Sequence, residues 1–394
     1  FGHHLGDTIL QEVAERLSKA LPKSGMIARL GGDEFALMQP LADKEELHHL
    51  VQIIHVALEE PFSIEGHPVQ IDVSIGAALY PQHGGDPISL LRKADIAMYI
   101  AKHQHKEFAL YEVEYEQDSA RQLDLIRELR HAVGANEFRL YYQPKVEMKT
   151  GRVYGVEALI RWQHPTLGFI PPDQFIPLAE QTGQIMSLSR WVLEEALRQC
   201  GAWLQVGIDL EIAVNLSMWD LRDSSLPTTI RALLDQYQVP SRNLRVELTE
   251  SAAMTDPEHT LEVLKQLAKE GICSSIDDFG TGYSSLAYLK RLIVNELKID
   301  RSFVRHITEE ASDETIVRST VTMAHSLGLK VVVEGVEDEA SYNLLARLDC
   351  DTAQGYFMAR PLPPHELECW LAQRQHHYVQ GNQEDCPERS EIAV

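Results

Sequence analysis

Two adjacent aspartates, Asp277 and Asp278, follow a short apolar run and precede a glycine-rich turn in SSIDDFGTGYSSL, residues 274–286. Like charges repel strongly where water is scarce, so such a pair at the end of a buried strand indicates a compensating cation. Polar groups also occur late in other strand-like runs, namely at Glu157, Asn215, Glu247, Lys298, Glu334 and Gln354. One such group alone is more often a satisfied polar residue than a ligand. Their recurrence favours a shared site.

The residue types indicate a hard divalent cation. Carboxylate and amide oxygens suit Mg²⁺ or Mn²⁺, and not zinc. Adjacent carboxylates can serve two ions with one carboxylate bridging, and metals ~3.5–4 Å apart are used for in-line displacement at phosphorus. The cations among these acids, Lys298 and Arg161, would offset phosphate charge or hold the attacking water. The sequence therefore predicts metal-assisted phosphoryl chemistry.

Strand-like runs that alternate with helical ones must position these side chains. The eight runs are FRLYYQP, VYGVEALIRW, LEIAVNLS, LRVELTES, ICSSIDDFG, ELKIDRSF, KVVVEGVE and AQGYFMA. Such alternation over residues 138–374 predicts an α/β fold, a (β/α)8 TIM-like barrel in which late strand residues meet at one mouth. The first connection, MKTGR, is too short for a crossover helix, so the first two strands are predicted to be antiparallel.

The rest of the chain is predicted to flank this barrel. Residues 1–112 indicate a mixed α+β domain, residues 113–137 a connecting helix, and residues 375–394 a disordered tail without periodicity. In MIARLGGDEFALM, Gly31 and Gly32 lie between two apolar stretches. This pair predicts a two-residue hairpin turn, since primed turns need φ > 0 at both positions.

Composition excludes several classes of protein. A net charge of −23 argues against a binder of nucleic-acid polymers, although a small anion held through metal ions is compatible with it. The five scattered cysteines form no CxxC pair, which favours reduced thiols in the cytoplasm over disulfides or a thiolate zinc site. No apolar run approaches the ~20 residues that span a bilayer. Because the chain starts at Phe1, an upstream membrane anchor stays open.

With these residues in view, the chain resembles the GGDEF–EAL family of bacterial cyclic di-GMP signalling proteins over residues 1–372. The motifs that carry the resemblance occur in order. They are GGDEF at 31–35, EALIRW at 157–162, VNLS at 214–217, ELTES at 247–251, DDFGTGYSSL at 277–286, LKIDRSFV at 297–304, EGVE at 334–337 and QGYFMARPL at 354–362. The resemblance implies a barrel with one antiparallel strand that hydrolyses cyclic di-GMP to linear pGpG, using two Mg²⁺ or Mn²⁺ ions.

The resemblance also implies a role for each site residue. The implied metal ligands are Glu157, Asn215, Glu247, Asp277 and Asp278. Asp277 would bridge the two ions, with Asp278 and Glu334 around the second. Lys298 would hold the water, and Glu250 would brace the DDFGTGYSSL loop. The implied substrate contacts are Gln143, Arg161 and Gln354. Members of the family often dimerise near this loop, so the resemblance implies a homodimer through the EAL domain.

The amino-terminal half matches the diguanylate cyclase domain only in part. Its GGDEF motif consists of Gly31, Gly32, Asp33, Glu34 and Phe35. The family's cyclase domain begins further upstream, with a strand that carries a metal-binding Asp. The chain as given is therefore expected not to make cyclic di-GMP, with GTP as a candidate ligand of the GGDEF remnant. The inhibitory RxxD motif would fall on residues 22–25, which read PKSG, so this feedback site is expected to be missing.

Three hypotheses stay open at this point. The chain is a metal-dependent cyclic di-GMP phosphodiesterase with a regulatory or incomplete GGDEF domain. Alternatively, it is a receptor that binds cyclic di-GMP without turnover, or part of a bifunctional enzyme whose cyclase half is complete in a longer protein. Every implied site position carries the residue type of active members, which favours the phosphodiesterase.

Overall fold

The computed structural model describes residues 3–22, 24–64, 67–69, 71, 73–103, 106–281 and 286–384. The chain divides into two units, Phe1–Asp124 and Leu125–Val394. The boundary falls within a helix, Glu114–Ala132, in the segment predicted as the connecting helix. No helix among the described residues is both long and apolar enough to cross a membrane.

The amino-terminal unit is a small mixed α and β domain. Its elements are α1 (His3–Ala20), β1 (Met26–Gly31), β2 (Glu34–Met38), α2 (Lys44–Glu59), β3 (Phe62–Ile64), β4 (His67–Val69), β5 (Ile75–Ala77), α3 (Pro87–His103), β6 (Phe108–Leu110) and the first part of α4 (Glu114–Ala132). The pairs β1/β2 and β3/β4 are antiparallel, whereas β5/β6 is parallel. Apolar residues at helical spacing, such as Val13 and Leu17, pack α1 against Leu50 of α2 in its core.

The GGDEF hairpin is present, but its turn lies one residue later than predicted. Gly31 pairs with Glu34, so Gly32 and Asp33 form the turn, and of the two glycines only Gly32 has a positive φ, +51°. The register of β1 against β2 changes between Arg29 and Gly31, and this change places the turn one residue later. The guanidinium of Arg29 donates hydrogen bonds of 2.9 and 2.7 Å to the Gly32 carbonyl, which stabilises the turn. Asp33 and Glu34 are exposed.

The carboxy-terminal unit carries the remaining elements. They are β7 (Phe138–Glu147), β8 (Val153–His164), β9 (Gly168–Ile170), α5 (Pro172–Gln181), α6 (Ile185–Gln205), β10 (Glu211–Leu216), α7 (Met218–Leu221), α8 (Leu226–Tyr237), β11 (Leu244–Thr249), α9 (Glu250–Thr255), α10 (Pro257–Lys269), β12 (Cys273–Phe279), α11 (Leu286–Leu289), β13 (Glu296–Ile299), α12 (Ala311–Ser326), β14 (Lys330–Val333), α13 (Glu339–Arg347), β15 (Thr352–Ala353) and α14 (Pro364–Glu384). Short 3₁₀ turns occur at Ser241–Asn243 and Arg301–Phe303.

Eight of these strands close into a barrel in the order β8-β10-β11-β12-β13-β14-β15-β7, with β7 pairing again with β8. Strand β7 is antiparallel to both of its neighbours, and the other barrel pairs are parallel. Strand β9 extends β8 outside the ring. The predicted α/β barrel and its antiparallel first pair of strands are therefore confirmed.

Alternation along the strands separates an apolar outer layer from a polar interior. In β11, Val246 and Leu248 belong to the apolar core that the helices cover, while the intervening Glu247 is buried on the inner face. Strand β13 repeats this with Leu297 and Ile299 around Lys298. Strands of parallel sheets are usually apolar on both faces, so polar residues at alternate positions mark the interior as a site.

Helix boundaries follow the predicted signals in α10. The Asp256 side chain accepts a hydrogen bond from the His259 amide at 3.3 Å, Pro257 starts the helix, and Gly271 follows its end with φ +77°. The last helix differs from prediction, because α14 continues to Glu384 through residues 375–384 of the predicted disordered tail. Extending an existing helix costs little, and no proline interrupts this segment before Pro387. Residues 385–394 lie outside the described residues.

Candidate metal centre and active site

Lys298 is fully buried among the predicted site carboxylates. Its Nζ lies 2.6 Å from Glu247 Oε2 and 2.7 Å from Asp277 Oδ2. The same atom lies 2.6 Å from Glu334 Oε1 and 3.5 Å from Glu157 Oε2. Because these carboxylates come from or directly follow four different barrel strands, closure of the barrel is what brings them around one ammonium group.

Side-chain amides hold Glu157 in place beside this cluster. Asn215 Nδ2 donates to Glu157 Oε1 at 2.7 Å, and Gln354 Nε2 donates to Glu157 Oε2 at 2.6 Å. Gln354 Nε2 also contacts Gln143 Oε1 at 3.1 Å, while Gln143 Nε2 donates to the Ala359 carbonyl at 3.2 Å. Gln143, Glu157 and Gln354 are buried, whereas Asn215 is exposed. Two of the predicted amides thus bond directly to Glu157, and Gln143 is joined to it through Gln354.

Gln354 reaches this position because the last barrel strand is shorter than predicted. Strand β15 contains only Thr352 and Ala353, and the chain then turns beside Val336. A Cβ at Gly355 would lie 2.1 Å from the Val336 carbonyl oxygen, so this close approach requires glycine. Strand β14 likewise ends at Val333, directly before Glu334.

Asp277 and Asp278 both face the site, although neighbouring strand residues normally point to opposite faces. The pairing of β12 with β13 shifts between Ile276 and Phe279, and Asp278 has a φ of +54°. Its amide donates to Asp277 Oδ1 at 2.8 Å. A bulge of this kind re-aims a side chain, and a positive φ at a non-glycine residue is strained. This irregularity allows the carboxylates of both Asp277 and Asp278 to face the site.

The carboxylates form two overlapping groups that could each hold a metal ion. In one group, ligand atoms of Glu157, Glu247 and Asp277 lie within 4.8 Å of one another. In the other, those of Asp277, Asp278 and Glu334 do so. Asp277 belongs to both groups, which is the placement that a bridging carboxylate needs.

The electrostatics of the cluster fit divalent cations. Burial raises the pKa of Asp277 to about 7 and the pKa of Glu334 to about 8, despite the nearby Lys298 ammonium. Burial also raises the pKa of Asp278. The single ammonium group of Lys298 cannot neutralise all of these carboxylates. Hard cations, which prefer oxygen ligands, would neutralise the remaining negative charge.

Glu247 differs from its neighbours because it contacts two lysines. Burial alone would raise its pKa, but the ammonium groups of Lys145 and Lys298 outweigh burial and hold the pKa at about 2. Lys145 was missed in the sequence, where the predicted strand ended at Pro144. It is fully buried, and its Nζ donates to Glu247 Oε1. The available signal was its spacing of two residues from Gln143, which places both on the inner face of β7.

Two predicted residues lie near the cluster without bonding to it. Arg161 follows Glu157 by four positions on β8, and its guanidinium carbon lies 5.7 Å from the centre of the Tyr141 ring. Burial lowers the pKa of Arg161. Glu250 is buried, and its Oε2 accepts a hydrogen bond of 2.9 Å from the Gly280 amide. Residues 282–285 of the DDFGTGYSSL loop lie outside the described residues.

Comparisons with known proteins identify the families that the two parts of the chain match. The EAL domain model matches residues 126–361, and the model for the diguanylate cyclase GGDEF domain matches residues 1–107. Among solved structures, the chain is similar to the PaMucR phosphodiesterase in its c-di-GMP complex, with 46% identity and a TM-score of 0.60. This similarity covers 62% of the chain and 99% of that structure.

Curated relatives share both domains. The chain is 44% identical over 369 residues to MucR of Pseudomonas aeruginosa, named a bifunctional diguanylate cyclase/cyclic di-GMP phosphodiesterase, covering 93% of the chain and 54% of MucR. It is 36% identical over 371 residues to the cyclic di-GMP phosphodiesterase PdeR of Escherichia coli, covering 94% of the chain and 56% of PdeR. The chain thus spans about half the length of these relatives. The two family matches and the barrel site together show that the chain belongs to the GGDEF–EAL family.

Proposed function

We propose that the EAL domain hydrolyses cyclic di-GMP to linear 5′-pGpG, using two Mg²⁺ or Mn²⁺ ions. The observation that carries the proposal is the pair of three-carboxylate clusters at the barrel mouth, which have Asp277 in common. The names of MucR and PdeR, and the c-di-GMP complex of the PaMucR phosphodiesterase, support the choice of substrate.

The first ion would be held by residues from four strands, Glu157, Asn215, Glu247 and Asp277. Asp277 would also contribute to the second ion, together with Asp278 and Glu334. Bound ions of this kind polarise a phosphate and lower the pKa of water for in-line attack at phosphorus. The donor set fits them because it supplies oxygen ligands from side chains.

The other site residues are proposed to bind and orient the substrate. The Lys298 ammonium, located between Asp277 and Glu334, would donate to the attacking water and offset the negative charge on the phosphate oxygens. The Arg161 guanidinium offers a planar pair of donors that suits a phosphate. Gln143 and Gln354 would contact the substrate from the same mouth. We assign Glu250 the role of bracing the loop after β12, through its bond to the Gly280 amide.

The decisive experiment is an assay of the purified chain with cyclic di-GMP. We expect linear pGpG to form with Mg²⁺ or Mn²⁺ and to stop when EDTA removes the metal. Ca²⁺ should support the reaction poorly, because it prefers longer bonds and a looser coordination geometry. The product is measured by ion-exchange chromatography. Tight binding of cyclic di-GMP without release of pGpG would refute the enzyme and indicate a receptor.

We also propose two partners beyond the substrate. GTP is proposed to bind at the GGDEF hairpin, where Asp33 and Glu34 are exposed for contact with a nucleotide. A fluorescent GTP analogue should bind the wild type and bind Asp33→Ala more weakly, and equal binding would exclude this site.

A homodimer through the EAL domain is proposed from the resemblance. Light scattering should then give twice the 44.5 kDa chain mass, and a single chain mass would contradict it.

A further inference from the structure

Lys145 lies beneath the site, on the inner face of the antiparallel strand β7. Its side chain is fully buried, and its Nζ donates to Glu247 Oε1 and lies 3.6 Å from Glu296 Oε1. The other oxygen of Glu247, Oε2, faces Lys298 at 2.6 Å. The two oxygens of this proposed metal ligand are therefore divided between two different cations.

We propose that Lys145 is a positioning residue that holds Glu247 Oε1 and so presents Oε2 to the proposed metal centre. This inference rests on the proposed function of the site. In metal centres, partners that hydrogen-bond a ligand fix its orientation, and their loss typically costs 10–100-fold in metal affinity or activity. The only other hydrogen-bond donor to Oε1 among the described residues is the Ser275 hydroxyl, at the longer distance of 3.5 Å.

A second, largely buried network approaches Lys145 through Glu296. Glu296 contacts Lys145 through Oε1, while its Oε2 accepts from the Tyr154 hydroxyl at 3.3 Å and lies 3.8 Å from Arg245 Nη2. Arg245 is itself paired with Glu211 through contacts of 2.6 and 3.1 Å. Tyr154 and Arg245 thus both contact Oε2 of Glu296, and Lys145 lies between Glu296 Oε1 and Glu247 Oε1.

The test separates positioning from a purely structural ion pair. In Lys145→Met the contact with Glu247 is lost, whereas in Glu296→Gln the other carboxylate partner of Lys145 is lost and the contact with Glu247 remains. We expect Lys145→Met to weaken Mn²⁺ binding by about 10–100-fold. Glu296→Gln should bind Mn²⁺ like the wild type even if its Tm falls. Calorimetric titration of the metal-free protein with Mn²⁺, without substrate, measures both.

The sign of the change is informative. Removal of a positive charge beside the site would by Coulomb attraction alone tighten Mn²⁺ binding. Weaker binding in Lys145→Met therefore isolates the loss of orientation. Equal or tighter binding would overturn the proposal, and so would an equal loss in Lys145→Met and Glu296→Gln.

Loss of one partner of a buried ion pair can prevent folding. If Lys145→Met does not fold, the double variant Lys145→Met/Glu296→Gln, which removes one charge of each sign, is compared with Glu296→Gln alone under the same criteria. Hydrolysis by the wild type together with unchanged Mn²⁺ binding in the variants would refute only the role of Lys145. Mn²⁺ binding by a wild type that releases no pGpG would refute only the proposed reaction. A wild type that does not bind Mn²⁺ would overturn both.

Discussion

Replacement of Asp277 by asparagine is expected to abolish hydrolysis of cyclic di-GMP. Among the described residues, Asp277 is the only one that belongs to both three-carboxylate clusters, so one substitution weakens both proposed ion sites. The amide has nearly the same shape but carries no charge. The rate should therefore fall by more than the ~10–100-fold that is typical for loss of a partner outside the metal ligands. Turnover at saturating Mn²⁺ and Mn²⁺ titration measure the effect.

Asp256→Asn is a matched control for this substitution. Asp256 caps α10 by accepting a hydrogen bond from the His259 amide, and asparagine is an equally good cap. Its turnover should equal that of the wild type. If Asp277→Asn kept a tenth or more of the wild-type rate, Asp277 could not be a ligand shared by two essential ions.

Removal of the Lys298 ammonium is expected to have the largest effect on stability. Lys298→Met leaves four buried or partly buried carboxylates without their common cation. Breaking a buried ion pair from one side costs about 3–5 kcal/mol. In the metal-free protein, the Tm of the carboxy-terminal unit should fall by ~6–20 °C. Mn²⁺ should recover part of this loss, because it supplies positive charge to the same oxygens.

The loss in Lys298→Met should grow with pH. Burial raises the pKa of Asp277 to about 7 and that of Glu334 to about 8 in the wild type. A carboxyl whose pKa is raised in the folded state binds a proton on folding, so its contribution to stability decreases as the pH rises through that pKa. The protonated carboxyls need no counter-ion. Thermal unfolding at about pH 6 and about pH 9 tests this dependence.

Lys149→Met provides the control for Lys298→Met. Lys149 pairs with Asp349 at 3.4 Å, but its side chain is 70% exposed, and exposed pairs contribute about 0–1 kcal/mol. The Tm of Lys149→Met should stay near that of the wild type.

In Lys298→Met, turnover should fall more than substrate affinity. A normal turnover in that variant would refute the proposed role of Lys298 in holding the water.

The barrel and most of its mouth could be predicted from local patterns. Alternation such as that around Glu247 and Lys298 places a polar side chain opposite an apolar face whatever the neighbouring strands do. The short MKTGR connection requires an antiparallel first pair. Turn and helix ends were less predictable. The hairpin turn at Gly32-Asp33 depends on a register change in β1. Helix α14 continues into a segment whose apolar residues show no helical periodicity.

The sequence by itself determined which residues are available at the barrel mouth, because strand periodicity assigns each side chain to a face. Only the tertiary structure decided how they combine. Asp277 and Asp278 face the same side because β12 shifts register against β13 and Asp278 adopts a positive φ. Lys145 contacts Glu247 although the two are 102 positions apart in the chain. Barrel closure and register set such contacts, and both depend on the packing of all eight strands rather than on the sequence of any one of them.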